Sequence, residues 1–301
     1  MLEVDLEYPE SLHDSHNDYP LAPEQLNISE DMLSPYCKEL KAELRCIGAN
    51  CSKLTPNLMH KKRYIVHCKN LQLYLKLGMQ LRFIHRVVEF KQREWMRDYI
   101  DFNTEMRTKA ESLFEKDLFK LLNNAVFGKT MENVRDYVDV KLTCNQSYML
   151  KWVGNPRFKY LSIFNEDLVA IMLQKSSVKL CKPIFIGFTV LELSKELMYS
   201  FHYYHMKQQY GEKAKLLFTD TDSLCYSIET NDVYKDMEKS LHLFDTCDYP
   251  SSHFLHSNAN KKVLGKMKDE TNGVPISEFV GLRSKMYSIE VGGEEKKGRK
   301  V

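Results

Sequence analysis

No stretch of the sequence approaches the ~18 consecutive apolar residues that mark a membrane-spanning helix, so no membrane span is expected. Net charge is scarce too: 43 Lys and Arg against 41 Asp and Glu leave +2. Any affinity for nucleic acid must then rest on local basic patches, since the global balance supplies none. The opening MLEVDLEYPE is acidic and lacks the apolar segment of a secretory signal. The 8 cysteines are accordingly expected to be reduced thiols of an intracellular protein, nucleus and cytoplasm being indistinguishable. Internal repeats and long low-complexity segments are missing. No zinc site is spelled out either. Cys46 and Cys51 lack a matching second pair, and Cys37, His60, His67 and Cys68 read as scattered thiols and imidazoles. His13, Asp14, His16 and Asp18 fit no well-known ligand spacing and read as a solvated loop.

What remains is a chain of 301 residues, long enough for about two domains and a real core. Its most informative stretch is residues 215–229, KLLFTDTDSLCYSIE. The apolar run Leu216, Leu217, Phe218 precedes an acidic turn. After it Leu224, Tyr226 and Ile228 alternate with Cys225, Ser227 and Glu229, the period of a half-buried strand. If the backbone is extended at the turn, Asp220 and Asp222 point to one face. Each carboxylate then makes ionising the other harder, and a divalent metal is the usual stabiliser of such a pair. Magnesium favours one or two carboxylates completed by phosphate oxygens. The Asp-x-Asp tripeptide alone is most often a plain turn. With its flanks it fits either a nucleotidyl-transfer site or a glycosyltransferase that holds a nucleotide-sugar through a metal.

A second stretch separates these readings. Residues 104–133 read as one helix with Asn103 or Thr104 as N-cap and an apolar face of Met106, Ala110, Leu113, Phe114, Leu121 and Ala125. At about 100° per residue, Lys109, Lys116, Lys120, Asn124 and Phe127 fall within roughly 40° of Lys120. This row of ammonium groups ends in an amide, a ring and Gly128. Ammonium groups meet phosphates as point charges, and the ring and the small residue can shape a surface for base and sugar. A solvated lysine face is the plain alternative.

Residues 120–128, Lys-x3-Asn-Ala-x-Phe-Gly, resemble motif B of family B DNA polymerases, and residues 215–229 resemble motif C. Ala125 and Phe127 depart from the Ser and Tyr of the family pattern; Phe127 keeps the ring and loses the hydroxyl. Lys285-Met286-Tyr287 resembles the Lys-x-Tyr element that meets the primer strand, with period two placing Lys285 and Tyr287 on one face of a strand over 278–290. The longer run of residues 114–137 is similar to the protein-primed branch that includes Maverick/Polinton-type mobile elements, and the likeness extends over most of the chain.

The resemblance implies an α+β fold: a polymerase palm with an antiparallel sheet packed on helices, helical fingers and a β-rich insertion. It implies a palm-associated region over 1–88, fingers over 89–135, the insertion over 136–182 and palm again over 183–301, without a thumb. It implies catalytic Asp220 and Asp222 holding Mg2+ or Mn2+; Lys120, Asn124, Phe127, Gly128 and, by helical phase, Lys109 on the nucleotide; and Lys285 and Tyr287 on DNA. The partners implied are a primer-template, deoxynucleoside triphosphates and a terminal priming protein. The alternative is a catalytically inactive nucleic-acid-binding remnant. Asp5, in VDLEYP, is the nearest approach to motif A, but the spacing is off and the Ser-Leu is missing; true motif A is expected upstream. Lys61, Lys62 and Arg63 form a small basic cluster that suits either phosphate contact or a solvated turn.

Strands are also expected near 64–67, 80–90, 138–142, 158–164, 168–173 and 263–270. Helices are expected near 70–77, ended by Gly78, from 183 or 189 to 210, and over 232–245. In the long helix Val190, Leu193, Leu197, Phe201 and Tyr204 line one face, and His202 and His205 sit at the edge of the core. The tail GGEEKKGRKV is expected to be flexible.

Overall fold

The computed structural model describes residues 1–44, 52–283 and 285–299. In chain order the elements begin with β1 (Leu2–Glu7), α1 (His13–His16), β2 (Glu24–Asn27), α2 (Pro35–Glu43), β3 (Ser52–Thr55), β4 (Lys61–Val66), α3 (Cys68–Lys76) and β5 (Gln80–Val87). Then come α4 (Arg97–Lys109), α5 (Leu113–Thr130), β6 (Val138–Thr143), α6 (Gln146–Val153), β7 (Phe158–Asn165), β8 (Leu168–Gln174) and α7 (Ile184–Phe201). A π-helical turn (His202–Met206) leads to α8 (Lys207–Tyr210), β9 (Ala214–Asp220), β10 (Ser223–Ile228), α9 (Val233–Glu238), β11 (Phe244–Asp245), β12 (Met267–Lys268), β13 (Ile276–Arg283), β14 (Met286–Val291) and β15 (Glu294–Arg299). The fold is α+β with small sheets. Among the described residues every strand pairing is antiparallel except β11 with β12. No helix among them is long and apolar enough to cross a membrane.

The chain divides into two compact units, Met1–Phe90 with Glu192–Val301, and Lys91–Leu191. In the first, the sheet β4-β1-β5 carries the main core. Alternation along β1 explains why: Val4 and Leu6 are buried on one face, joined by Tyr8, Leu21, Val66, Leu71, Tyr74, Tyr199 and Tyr203. On the other face Glu3, Asp5 and Glu7 pair with Arg63 and Arg86, with His85, and with Arg82. One residue of slip would exchange the two sets, so the pattern pins the register. Two tyrosines tie α7 and the π turn to the N-terminal segment, Tyr199 Oη donating to the Pro20 carbonyl at 3.1 Å and Tyr203 Oη to the Tyr19 carbonyl at 2.7 Å. Glu192 is buried; it accepts from the His67 N–H (3.1 Å) and the Asn70 amide (2.9 Å) and pairs with Lys195 (2.7 Å).

The second unit holds α4 and α5 side by side and the sheet β6-β8-β7, with Ala170, Ile171 and Leu173 of the central strand buried. At Gly187 of α7 a Cβ would collide with the side chains of Met131 and Thr130, so only glycine lets this helix approach the end of α5 so closely.

Several expectations are corrected. Residues 104–133 form two helices, because Ser112 and Glu115 make a reciprocal capping box that starts α5 afresh. The apolar face drawn across the break is not buried: Leu113, Phe114 and Leu121 are 79%, 75% and 62% exposed. Of the stripe expected along the long helix, Val190, Leu193, Leu197 and Tyr204 are exposed and Phe201 is half-buried, whereas Glu192, Met198 and Tyr199 of α7 and His202, Tyr203 and Met206 of the π turn are buried. His16 is buried against Tyr8 rather than solvated, and Asp18 pairs with Lys207 at 3.2 Å. Lys61 is buried on Glu24, which removes it from the basic cluster. The strand expected over 278–290 is a hairpin of β13 and β14. Only Met267–Lys268 of the expected 263–270 strand pairs, and part of the expected flexible tail forms β15. Helix α6 went unforeseen. Cys46 and Cys51 lie outside the described residues.

Candidate functional site

The acidic hairpin closes tightly. Asp220 pairs with Ser223 at the end of the ladder, leaving Thr221 and Asp222 as the turn. Thr221 takes a φ of +55°, and the Asp222 N–H donates to the Asp220 carbonyl at 2.6 Å. That is a γ-turn with positive φ at its centre, a strained form, and a β-branched residue occupies the strained position. The backbone is therefore not extended between the two aspartates. Asp220 ends a strand and Asp222 sits in the turn, because a two-residue hairpin loop needs positive φ. Behind the turn the hairpin is seated on the π-helical segment. His202 Nδ1 and Tyr226 Oη lie 2.9 Å apart, and their rings stack at 13°.

A second turn meets the first. Lys285 lies in the β13–β14 turn with φ +61°, so it does not share a strand with Tyr287. Both side chains nevertheless reach β9. The Lys285 ammonium lies 2.8 and 3.1 Å from the two carboxylate oxygens of Asp220. The Tyr287 ring stacks on Phe218 with centroids 4.5 Å apart, and Phe279 joins the stack at 5.7 Å from Phe218. Asp220 and Phe218 are two apart on one strand and so share a face. The structure thus brings Asp220, Lys285 and Tyr287 together within one unit.

Lys120, Asn124, Phe127 and Gly128 lie on α5, in the other unit. Lys116, Lys120, Asn124 and Gly128 are exposed, Phe127 half-buried. Among the described residues neither Lys116 nor Lys120 forms an ion pair. Lys109 belongs to α4, where it pairs with Glu105, so the helical phase that aligned it with Lys120 does not hold across the break. A Cβ at Gly128 would meet nothing within 4 Å. The fold itself therefore has no steric need of glycine there, although a helical glycine costs about 1 kcal/mol relative to alanine.

Asp5 is occupied structurally. It accepts from the Arg63 N–H and lies against His85 Nε2, both at 2.8 Å, and these two contacts hold its carboxyl below the ordinary carboxylate value. No group of three or more His, Cys, Asp or Glu is arranged to hold a metal among the described residues. The acidic turn offers two carboxylates, the number at which magnesium sites commonly stop before phosphate oxygens and water complete the shell. The donor chemistry fits, and a cationic group, the Lys285 ammonium, already lies on Asp220. Neither the strained Thr221 nor the pairing of Lys285 with Asp220 is signalled by local sequence. The first has no composition signal; the second joins positions 65 apart.

Protein-family models, curated proteins and solved structures were compared with the chain, and none matches it.

Proposed function

We propose that this chain is the palm-and-fingers portion of a DNA-directed DNA polymerase of family B, protein-primed type. It would join a deoxynucleoside triphosphate to a primer 3′-hydroxyl and release pyrophosphate. The observation that carries the reading is the meeting of two distant motifs, with Lys285 on Asp220 and Tyr287 on Phe218. Asp220 and Asp222 would hold magnesium, which when bound supplies charge neutralisation at the reacting phosphate. Lys120 would grip the triphosphate, Asn124 and Phe127 would shape the nucleotide surface, and Tyr287 would face the primer. The open surface at Gly128 suits close approach of a ligand.

The test is titration of the chain with a deoxynucleoside triphosphate in Mn2+. Saturable, metal-dependent binding that is lost in Asp222→Ala and weakened in Lys120→Ala is expected. Nucleotide-sugar binding indifferent to Lys120→Ala would point to a glycosyltransferase instead. Primer extension by the chain alone is expected to be weak, because the acidic turn offers two carboxylates and Asp5 is engaged elsewhere. The same shortage favours the second reading, an inactive nucleic-acid-binding remnant. Salt-dependent DNA affinity without metal-dependent nucleotide binding would select it.

A further inference from the structure

Two hairpin tips meet, each with a non-glycine residue in the left-handed region, Thr221 at φ +55° and Lys285 at φ +61°. Backbone held in such sparsely populated conformations persists only where its surroundings enforce it. Here a three-ring stack of Phe218, Tyr287 and Phe279 fixes one hairpin on the other, so the Lys285 ammonium is delivered to Asp220 by packed structure and not by a loose side chain alone. Both oxygens of Asp220 lie within reach of that ammonium, while the Asp220 and Lys285 side chains stay 37% and 46% exposed. A cation can therefore enter from solvent.

Those oxygens cannot serve both charges well. A magnesium-sized ion binds carboxylate oxygens at about 2.1 Å. With the ammonium still in place it would bring a dication within about 5 Å of a positive charge, and the two would repel. We propose that Lys285 is a built-in counter-ion of Asp220 that competes with the divalent cation. Cation binding at the acidic turn releases Lys285, and the freed ammonium is then available to an anionic strand. The inference rests on the polymerase reading of the acidic turn, and it assigns Lys285 a second role, before any strand is bound. Lys285 is in this sense a positioning residue: it holds Asp220 while the site is empty and sets the cation concentration at which the turn is taken over.

The experiment is Mn2+ binding to the whole chain by electron paramagnetic resonance, comparing the natural sequence with Lys285→Met and Lys285→Arg. Lys285→Met should bind Mn2+ about two- to fivefold more tightly, the range that an exposed ion pair represents. Lys285→Arg keeps the charge and should bind no more tightly than the natural chain. Hydrogen exchange on the natural chain gives a readout independent of any variant's folding. Mn2+ should slow exchange around residues 219–224 and speed it around 281–287. Equal or weaker Mn2+ binding by Lys285→Met, or unchanged exchange at 281–287 on saturation, would overturn the competitor role while leaving the polymerase reading intact. Failure of the natural chain and both variants to bind Mn2+ saturably would overturn both.

Discussion

The rings of Phe218 and Tyr287 lie 4.5 Å apart at an interplanar angle of 24°, although they are 69 positions apart in the chain. This stack explains how two hairpins without a shared ladder stay in register at their tips. Aromatic pairs of this kind contribute about 0.5–1.5 kcal/mol beyond the area they bury. They also cost little entropy, because a ring has few torsions to fix.

Truncating that ring should loosen the tip. Tyr287→Ala is expected to lower stability by about 1–3 kcal/mol, whereas Tyr287→Phe, which keeps the ring, should stay within ~0.5 kcal/mol. Urea denaturation of the three proteins measures this. Equal losses in both variants would mean that the hydroxyl, not the stack, carries the contact.

Gly128 offers a test in which stability and function move in opposite directions. A Cβ there meets nothing, so Gly128→Ala should stabilise α5 by about 1 kcal/mol. On the proposed function it should weaken nucleotide binding, since the added methyl group occupies the surface offered to the ligand. Thermal unfolding and nucleotide titration of the same sample would decide it. A variant that gains stability with unaltered binding would remove Gly128 from the site.

Glu192 is a buried carboxylate with three partners, the His67 N–H, the Asn70 amide and Lys195. Replacing it by alanine strands the buried His67 N–H, at a cost of about 1–3 kcal/mol, whereas the Asn70 amide keeps its 2.7 Å bond to the Glu192 carbonyl. Glu192→Ala is expected to lose about 1–3 kcal/mol, and Glu192→Gln less, because an amide oxygen still accepts. Chemical denaturation provides the measurement.

Acid should destabilise the first unit through two histidines. Burial, aided by nearby His13, pushes His16 down to about 4; burial and then Lys207 push His202 down to about 4. Both lie below the ordinary histidine value of 6.5. The unfolded chain therefore takes up protons first as pH falls. The stabilisation held by the neutral rings is complete above pH ~6.5 and is lost progressively towards pH ~4, at about 1.4 kcal/mol for each pH unit between folded and unfolded values. Melting temperature should fall over that window, and His202→Gln should flatten the dependence. A flat profile from pH 7 to 4.5 would contradict the burial of these rings.

Local elements were largely legible. The alternation in residues 224–229, the strands flanking residues 138–173 and the stop at Gly78, where φ is +103°, each depend on neighbours a few positions away. The break between α4 and α5 is encoded locally too, in the capping pair Ser112 and Glu115, although the regular spacing of lysines runs across it as in one continuous helix. Helix α7 misled for a different reason. Its apolar stripe pointed one way, yet Glu192 of α7 and His202 of the π turn that follows are buried, because each finds hydrogen-bond partners inside the fold. Counting apolar residues cannot reveal where a buried polar group will be satisfied.

Periods and caps, encoded within a turn or two of chain, suffice for the strand-turn-strand around Asp220 and Asp222, the lysines of α5 and the two-faced β1. Only the folded chain brings Lys285 to Asp220 and Tyr287 to Phe218, buries Glu192 of α7 and His202 of the π turn, and engages Asp5 with Arg63 and His85. Such contacts join residues tens of positions apart, and which pairs meet depends on the path of all the chain between them.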